Sequence, residues 1–295
     1  MKNILVIGGG GYVGTVLVDQ LIAENYKVTV YDLFIYGNFF QDDSNLSLIY
    51  GDIRNISKIR EIVKNYDAVI HLACISNDPS FDLNPNLGKS INFDPFEDLV
   101  KICKENGVKR FIYASSSSVY GIKSETNVTE SFSLKPLTDY SKYKAMCEDI
   151  LLKLNDKFFT CTIIRPATVC GYSKRQRFDL VVNILTNLAY NNKKIKIFGG
   201  KQLRPNINIF DMISAYIHIL NQPKEKISGE IFNVGFENHS VKKLAYLVQE
   251  SMPFEVDIEK VETNDNRSYH ISSEKIKTKI GFQNKKNIKV FIDAE

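Results

Sequence analysis

Asn3-Ile4-Leu5-Val6-Ile7-Gly8-Gly9-Gly10-Gly11-Tyr12-Val13-Gly14 decides how this chain folds. A short apolar run ends in glycines, and Val13, Val16, Leu17 and Leu21 then repeat at helical spacing. A strand that turns through glycine into a helix can hold a dinucleotide. The glycines permit a tight turn and let backbone N–H groups at the helix N-terminus approach a pyrophosphate. The run fits G-x-x-G-x-x-G through Gly8, Gly11 and Gly14, and G-x-G-x-x-G through Gly9, Gly11 and Gly14. Taken alone, the pattern also describes a plain strand–helix turn. Asp32, closing the next apolar run, changes the balance. A carboxylate there accepts hydrogen bonds from adenosine ribose hydroxyls and repels a 2′-phosphate, which favours NAD over NADP.

Outward from this unit, strand-like runs at 27–31, 46–50, 68–73, 110–114 and 160–165 alternate with helical patterns at 56–63, after Asn92 and over 138–154. Such alternation predicts an α/β fold, a doubly wound parallel sheet of Rossmann type. Ligands in these folds bind beyond the carboxyl ends of the strands. Gly8, Asp32, Asp52, Ala73 and Ser115 all fall just after such ends, so one groove collects them. Past Pro166 the pattern turns irregular. We expect a helix at 180–190, a strand at 194–198, a loop rich in Gly, Asn and Pro, a helix at 211–220, a strand at 230–234 and a helix at 241–252. The expected division is a dinucleotide-binding domain over 1–165 and a smaller C-terminal α/β substrate lobe over 166–295, interleaved into one unit.

The bulk properties narrow the class. The chain has 295 residues, 44% hydrophobic and 24% charged, and a net charge of +4 without a long basic block, so no nucleic-acid role is called for. Five cysteines without a Cys-x-x-Cys pair read as reduced core residues of a cytoplasmic protein. The four histidines are far apart and make no metal spacing. The N-terminus runs straight into a strand rather than a signal peptide, and no stretch is long and apolar enough to span a membrane.

Chemistry concentrates at two further places. Tyr140 and Lys144 stand four apart on a predicted helix and share a face. A tyrosine hydroxyl ordinarily titrates near pH 10, and a lysine cation beside an oxidised nicotinamide ring favours its phenolate. The same spacing also arises by chance on helix surfaces. The run Ser115-Ser116-Ser117-Ser118 follows a strand, where a hydroxyl can bond the substrate oxygen that Tyr140 deprotonates; a serine run is equally an ordinary polar turn. Asp52 can accept from an adenine amino group or cap the helix near Ile56.

With these residues in this order, the chain resembles the extended short-chain dehydrogenase/reductase superfamily. Within it the chain looks like the NAD-dependent sugar-nucleotide epimerase/dehydratase branch, of which UDP-glucose 4-epimerase is typical. His71-Leu72-Ala73 resembles the segment near the nicotinamide ribose, and Ser-Ser-Val-Tyr-Gly at 117–121 the catalytic loop. The resemblance implies a catalytic set of Ser116, Tyr140 and Lys144. It implies an NAD site of Gly8, Gly11, Tyr12, Val13, Gly14, Asp32, Leu33, Asp52, Ile53, Leu72, Ala73, Asn92, Ser115, Tyr140, Lys144 and Pro166. Ser116, Ser117, Arg177, Asn183, Arg204 and Arg267 are implied on the nucleotide-sugar side. Arg204 and Arg267 match arginines that grip the diphosphate, which guanidinium forks bind bidentately.

Two departures matter. The branch's 4,6-dehydratases carry an Asp-Glu pair where this chain has Ser117 and Ser118, and a hydroxyl cannot replace a carboxylate as general base near neutral pH. The segment 165–183 differs from the commoner 4-epimerases and resembles branches tied to surface-polysaccharide sugars, including some GDP-heptose 4-dehydrogenases. Within it Arg175 and Arg177 either reach the substrate or form a solvated basic loop. The chain also ends shortly after Phe291, so the branch's last helix is expected to be short or absent. The leading expectation is a 4-epimerase acting through a 4-keto intermediate. A 4-dehydrogenase or 4-keto reductase with net NAD(H) turnover is the nearest rival, and a non-catalytic NAD-binding sensor a remote one. The resemblance further implies a homodimer paired through the helices after Asn92 and around Tyr140.

Overall fold

A computed structural model describes residues 1–263, 268 and 270–288 of the chain. Its first strand, β1 (Asn3–Ile7), directs Ile4 and Val6 to one face and Leu5 and Ile7 to the other, all four buried in separate apolar clusters. A strand apolar on both faces belongs inside a parallel sheet covered on both sides. It leads into α1 (Tyr12–Ala23), then β2 (Lys27–Asp32), β3 (Leu46–Tyr50), α2 (Ile56–Ile62) and β4 (Ala68–His71). Two short helices, α3 (Asp78–Asp82) and α4 (Pro85–Asn92), precede α5 (Phe96–Glu105), β5 (Arg110–Ala114), α6 (Asp139–Leu154) and β6 (Thr160–Pro166). The two short helices lie outside the expected pattern, yet each has a local signature. Asn77 and Asn84 cap them, and each has a proline in its first turn.

The remaining chain forms β7 (Thr168–Cys170), α7 (Val181–Asn192), β8 (Lys194–Phe198), β9 (Leu203–Asn208), α8 (Ile209–Asn221), α9 (Lys224–Ile227), β10 (Glu230–Val234), β11 (Glu237–Ser240), α10 (Val241–Ser251), β12 (Asp257–Val261) and α11 (Glu274–Ile280). The main sheet has seven parallel strands in the order β3-β2-β1-β4-β5-β6-β10. Strand order reverses between β1 and β4, so the loops after those two strands diverge and open a groove at their carboxyl ends. One face is covered by α1 and α8, the other by α2, α5 and α6.

The doubly wound parallel sheet is as expected, and the strands 46–50, 110–114, 194–198 and 230–234 have the expected bounds. The expected Gly/Asn/Pro-rich loop instead contains β9, the centre of a three-stranded sheet ordered β11-β9-β7. Pro205 is tolerated there because β7 pairs only from Asn206 onward, so no ladder bond is asked of Pro205 on that side. A further pair, β12 with β8, backs the lobe core of Cys170, Val182, Leu185 and Leu244. The second half of the chain is not confined to the lobe: α8 packs on α1, and β10 extends the main sheet beside β6. Among the described residues no helix is long and apolar enough to cross a membrane.

Candidate active site

The glycine loop is built for close approach. Gly8 has φ +83°, and a Cβ there would lie 2.3 Å from the backbone nitrogen of Ala73. A Cβ on Gly14 would lie 2.5 Å from the carbonyl oxygen of Gly9. These contacts draw β1, β4 and α1 together. Gly11 is the N-cap of α1 and offers no side-chain acceptor to the helix, which leaves a positive helix end facing the groove. Asp32 holds this loop from the next strand: its Oδ2 accepts from the Gly10 N–H at 2.9 Å and its Oδ1 from the Phe34 N–H at 2.8 Å. A side-chain-free cradle at a helix N-terminus with a carboxylate on the adjoining strand end fits NAD. Val13 in the first turn of α1 is half-buried. Leu33 is 46% exposed beyond β2 and Ile53 is buried beyond β3.

Asp52 does not cap α2. Asn55 does, accepting from the Lys58 N–H, while the Asp52 carboxylate takes the Arg54 guanidinium at 2.5–3.0 Å. The Arg54 hydrogen bond holds the Asp52 carboxyl below its usual range despite partial burial.

Across the groove, α6 presents Tyr140 and Lys144 from one face. Thr138 starts the helix with a capping box shared with Ser141. Ser116 stands beside the Tyr140 hydroxyl and favours its ionised form. Lys144 is buried, donates to the Ala114 carbonyl at 2.6 Å, and lies 5.8 Å from the Tyr140 ring centre and 4.9 Å from that of Tyr113. Burial pushes the Tyr140 hydroxyl well above its ordinary value, and Cys74 adds to this; the neighbouring Ser116 and the Arg177 charge pull it back. The resting group is therefore a phenol, and a further positive charge at the site is needed to draw off its proton. Ser116 also shares a 2.8 Å hydrogen bond with the Ser118 hydroxyl. Ser117 is 2% exposed within the short 3-10 turn Ser117–Tyr120.

His71 sits behind this pair. Its ring stacks on Tyr113 at 5.7 Å, and its buried Nδ1 has no hydrogen-bond partner among the described residues. Burial, and then the Lys144 cation, push it down to about 3 from an ordinary 6.5. The folded pKa lies below the unfolded one, so the stability linked to neutral His71 is full above about pH 6.5 and is lost as pH falls toward 3. We expect unfolding free energy to decline through this window by up to about 1.4 kcal/mol per pH unit from His71. Urea titrations at several pH values check this: His71→Phe should lose that part of the slope, and an unchanged slope would refute the assignment.

Other expected site residues are placed differently. The Ser115 hydroxyl, expected toward the cofactor, donates instead to Glu148, a buried carboxylate on α6. Both ends of the Asn92 amide bond the backbone of Ile75, at 2.8 and 2.9 Å, so Asn92 acts on the groove through the loop after β4, where Leu72 and Ala73 are half-buried. Asn183, expected on the substrate, staples the 171–177 segment to the glycine helix. Its Oδ1 accepts from the Gly171 N–H at 3.1 Å, and its Nδ2 donates to the Tyr12 hydroxyl at 3.1 Å and the Arg177 carbonyl at 2.8 Å. Both amides thus bond within the protein.

The structure separates the two arginines of that segment. Arg177 carries its charge near Tyr140 and is held by Asp179 at 2.5 and 3.0 Å and by the Ser76 hydroxyl at 2.8 Å. Arg175 turns to the β2 side and lies 3.6 Å from the Tyr36 ring centre. Pro166 is half-buried at the end of β6. Arg204 lies on β9 opposite His239, with one Nη donating to the Leu203 carbonyl at 3.1 Å. Arg267 lies outside the described residues. Sequence reading missed Glu148, although a carboxylate eight positions after Tyr140 on the same helical face was a visible signal.

The arrangement sets a buried tyrosine–lysine pair across the groove from a dinucleotide cradle, and comparison with known proteins places the chain in a family. Residues 4–235 match the model of the NAD dependent epimerase/dehydratase family. A putative UDP-arabinose 4-epimerase 2 of Arabidopsis thaliana is 25% identical over 96% of this chain and 76% of its own length. A UDP-glucose 4-epimerase of Lactobacillus helveticus is 28% identical over 79% of this chain and 76% of its own. In fold, the chain is similar to a Thermus thermophilus UDP-glucose 4-epimerase solved with NAD, with a TM-score of 0.87 and 20% identity over 99% of this chain and 97% of that one.

Proposed function

The chain belongs to the NAD-dependent epimerase/dehydratase family, and we propose that within it the protein is a nucleotide-sugar 4-epimerase serving surface-polysaccharide synthesis. The observation that carries this reading is Tyr140 on α6, backed by buried Lys144 and standing beside Ser116, whose turn continues with Ser117 and Ser118. NAD, when bound, supplies the acceptor and donor of the C4 hydride. Tyr140, having first lost its own proton to solvent, takes as phenolate the proton of the sugar C4 hydroxyl, and the Ser116 hydroxyl steadies the same oxygen. The 4-keto sugar turns over, and Tyr140 returns the proton as the hydride comes back to the other face. Serines at 117 and 118 give no carboxylate for loss of water. The named activities of the two sequence relatives support a UDP-sugar as substrate.

Arg177, Arg204 and Arg267 are assigned to the nucleotide-sugar side, and residues 166–295 to the lobe that closes over it, with α8 and β10 returned to the main sheet. We also read the protein as a cytoplasmic homodimer paired through α5 and α6. Five free thiols suit a reducing compartment, and Met146 on α6 and Leu87 on the adjoining α4 are exposed apolar side chains, 44% and 39% accessible. The departure of segment 165–183 favours, as a second reading, a 4-dehydrogenase or 4-keto reductase.

One incubation series separates them. Purified protein is mixed with UDP-, GDP-, dTDP- and CDP-hexoses, with and without added NAD, while NADH absorbance and product mass are followed. A product of unchanged mass at a new retention time, without net absorbance change, is the expected outcome. A rise in absorbance with a product two hydrogens lighter replaces the epimerase reading with a dehydrogenase.

A further inference from the structure

Glu148 follows Lys144 by one helical turn and Tyr140 by two, so all three side chains share one face of α6. It is 1% exposed. Its carboxylate grips Arg165 of β6 at 3.0 and 3.2 Å through Nε and at 2.5 Å through Nη2, and accepts from the Ser115 hydroxyl. Arg165 continues the chain by donating to the Tyr120 hydroxyl at 2.8 Å, and Tyr120 donates to the Asn233 side chain of β10 at 2.7 Å. Asn233 in turn bonds the carbonyls of Val128 and Ser272. Burial opposes the Arg165 charge, but the Glu148 hydrogen bonds outweigh it and raise the guanidinium's pKa.

The geometry of this chain is specific. Ser115 and Tyr120 bracket the turn that carries Ser116. One end is tied to Glu148, the other to Arg165, and Glu148 rides on the helix that carries Tyr140. A buried ion pair is a poor stabiliser against a well-packed apolar replacement, so net stability does not account for it. What it does fix is the register of α6 against the Ser116 turn. Misplacement of a reacting group by about 1 Å costs roughly a hundredfold in rate.

We propose that Glu148, clamped to Arg165, is a positioning residue that sets the Ser116 hydroxyl against the Tyr140 hydroxyl without touching substrate or cofactor. The inference rests on the reading that Tyr140 transfers the C4 proton, and it holds whichever net reaction follows.

The test uses the full chain in three variants: Ser115→Ala, Glu148→Gln, and the double variant Glu148→Leu/Arg165→Met. Rates are taken on whichever nucleotide sugar the wild type turns over, with Tm and bound NAD measured alongside. Ser115→Ala should lower kcat about tenfold, with KM changed less than about twofold and NAD content and Tm retained. Glu148→Gln should lower kcat about a hundredfold and lower Tm as well. The double variant should recover Tm while kcat stays depressed, because apolar packing restores stability but not register. A double variant that regains kcat to within about threefold of wild type overturns the proposal. So does a Ser115→Ala protein with wild-type kcat, and that variant decides alone if the double variant does not fold. A wild type active on no sugar brings down the functional reading and this inference together; an active wild type whose variants keep its kcat brings down the inference alone.

Discussion

Tyr140→Phe should lower turnover by about 10²- to 10⁴-fold, the range of a lost general acid–base group, while the protein stays folded and keeps its NAD. The substitution removes one oxygen from a ring whose packing does not depend on it. The ring meets Phe81 edge-on at 6.4 Å, and the Lys144 ammonium lies 5.8 Å from its centre. Ser116, on losing the tyrosine, keeps its 2.8 Å partner Ser118, so no buried hydroxyl is orphaned. The loss should therefore appear in kcat, with bound NAD per chain and Tm near wild type. Retained activity in this variant would remove the proton-transfer step from the proposed function. Retained NAD with no turnover would tie the chemistry to one oxygen atom.

Gly8→Ala should do the opposite, damaging the fold and the cofactor site together. Gly8 has φ +83°, and an added Cβ would meet Ala73 N at 2.3 Å, Ala73 Cα at 2.5 Å and the Leu72 carbonyl carbon at 2.8 Å, all backbone. No side chain can rotate out of the way. Relief requires the end of β4 to move from β1, and the Leu72 and Ala73 N–H groups donate to the Ile7 carbonyl at 2.8 and 3.0 Å across that gap. The left-handed backbone alone costs an alanine about 1–2 kcal/mol, and the overlap adds about 1–3 kcal/mol more. We expect Tm to fall by roughly 5–15 °C and NAD to be lost on purification. Gly37→Ala is the control: its φ is +99° but no atom lies within 4 Å of the added Cβ, so only the backbone cost of about 1 kcal/mol applies. If the two variants melt together and bind NAD alike, close approach at Gly8 is not what holds the cradle.

The parts of this protein legible in its sequence are those set by local physics. Alternating faces in 3–7, glycines at a strand end and helical spacing from Val13 to Leu21 are short-range signals, and the βα unit forms where they fall. Tyr140 and Lys144 share a face because four residues make about one helical turn. Asn77-Asp78-Pro79 and Asn84-Pro85 were equally local signs of α3 and α4, readable from capping alone. The strand β9 was not readable, because Pro205 breaks the local pattern and only the pairing with β7 and β11 makes a strand there.

The sequence by itself determined the doubly wound sheet, the dinucleotide cradle and the tyrosine–lysine pair. Tertiary structure alone decided which polar side chains face the groove and which are taken up inside. Asn183 meets Tyr12 from 171 residues away, Arg177 meets Ser76 from 101, and Ser115 meets Glu148 from 33. A buried polar group must find its partner wherever packing brings one, and no periodicity in the chain records where that is.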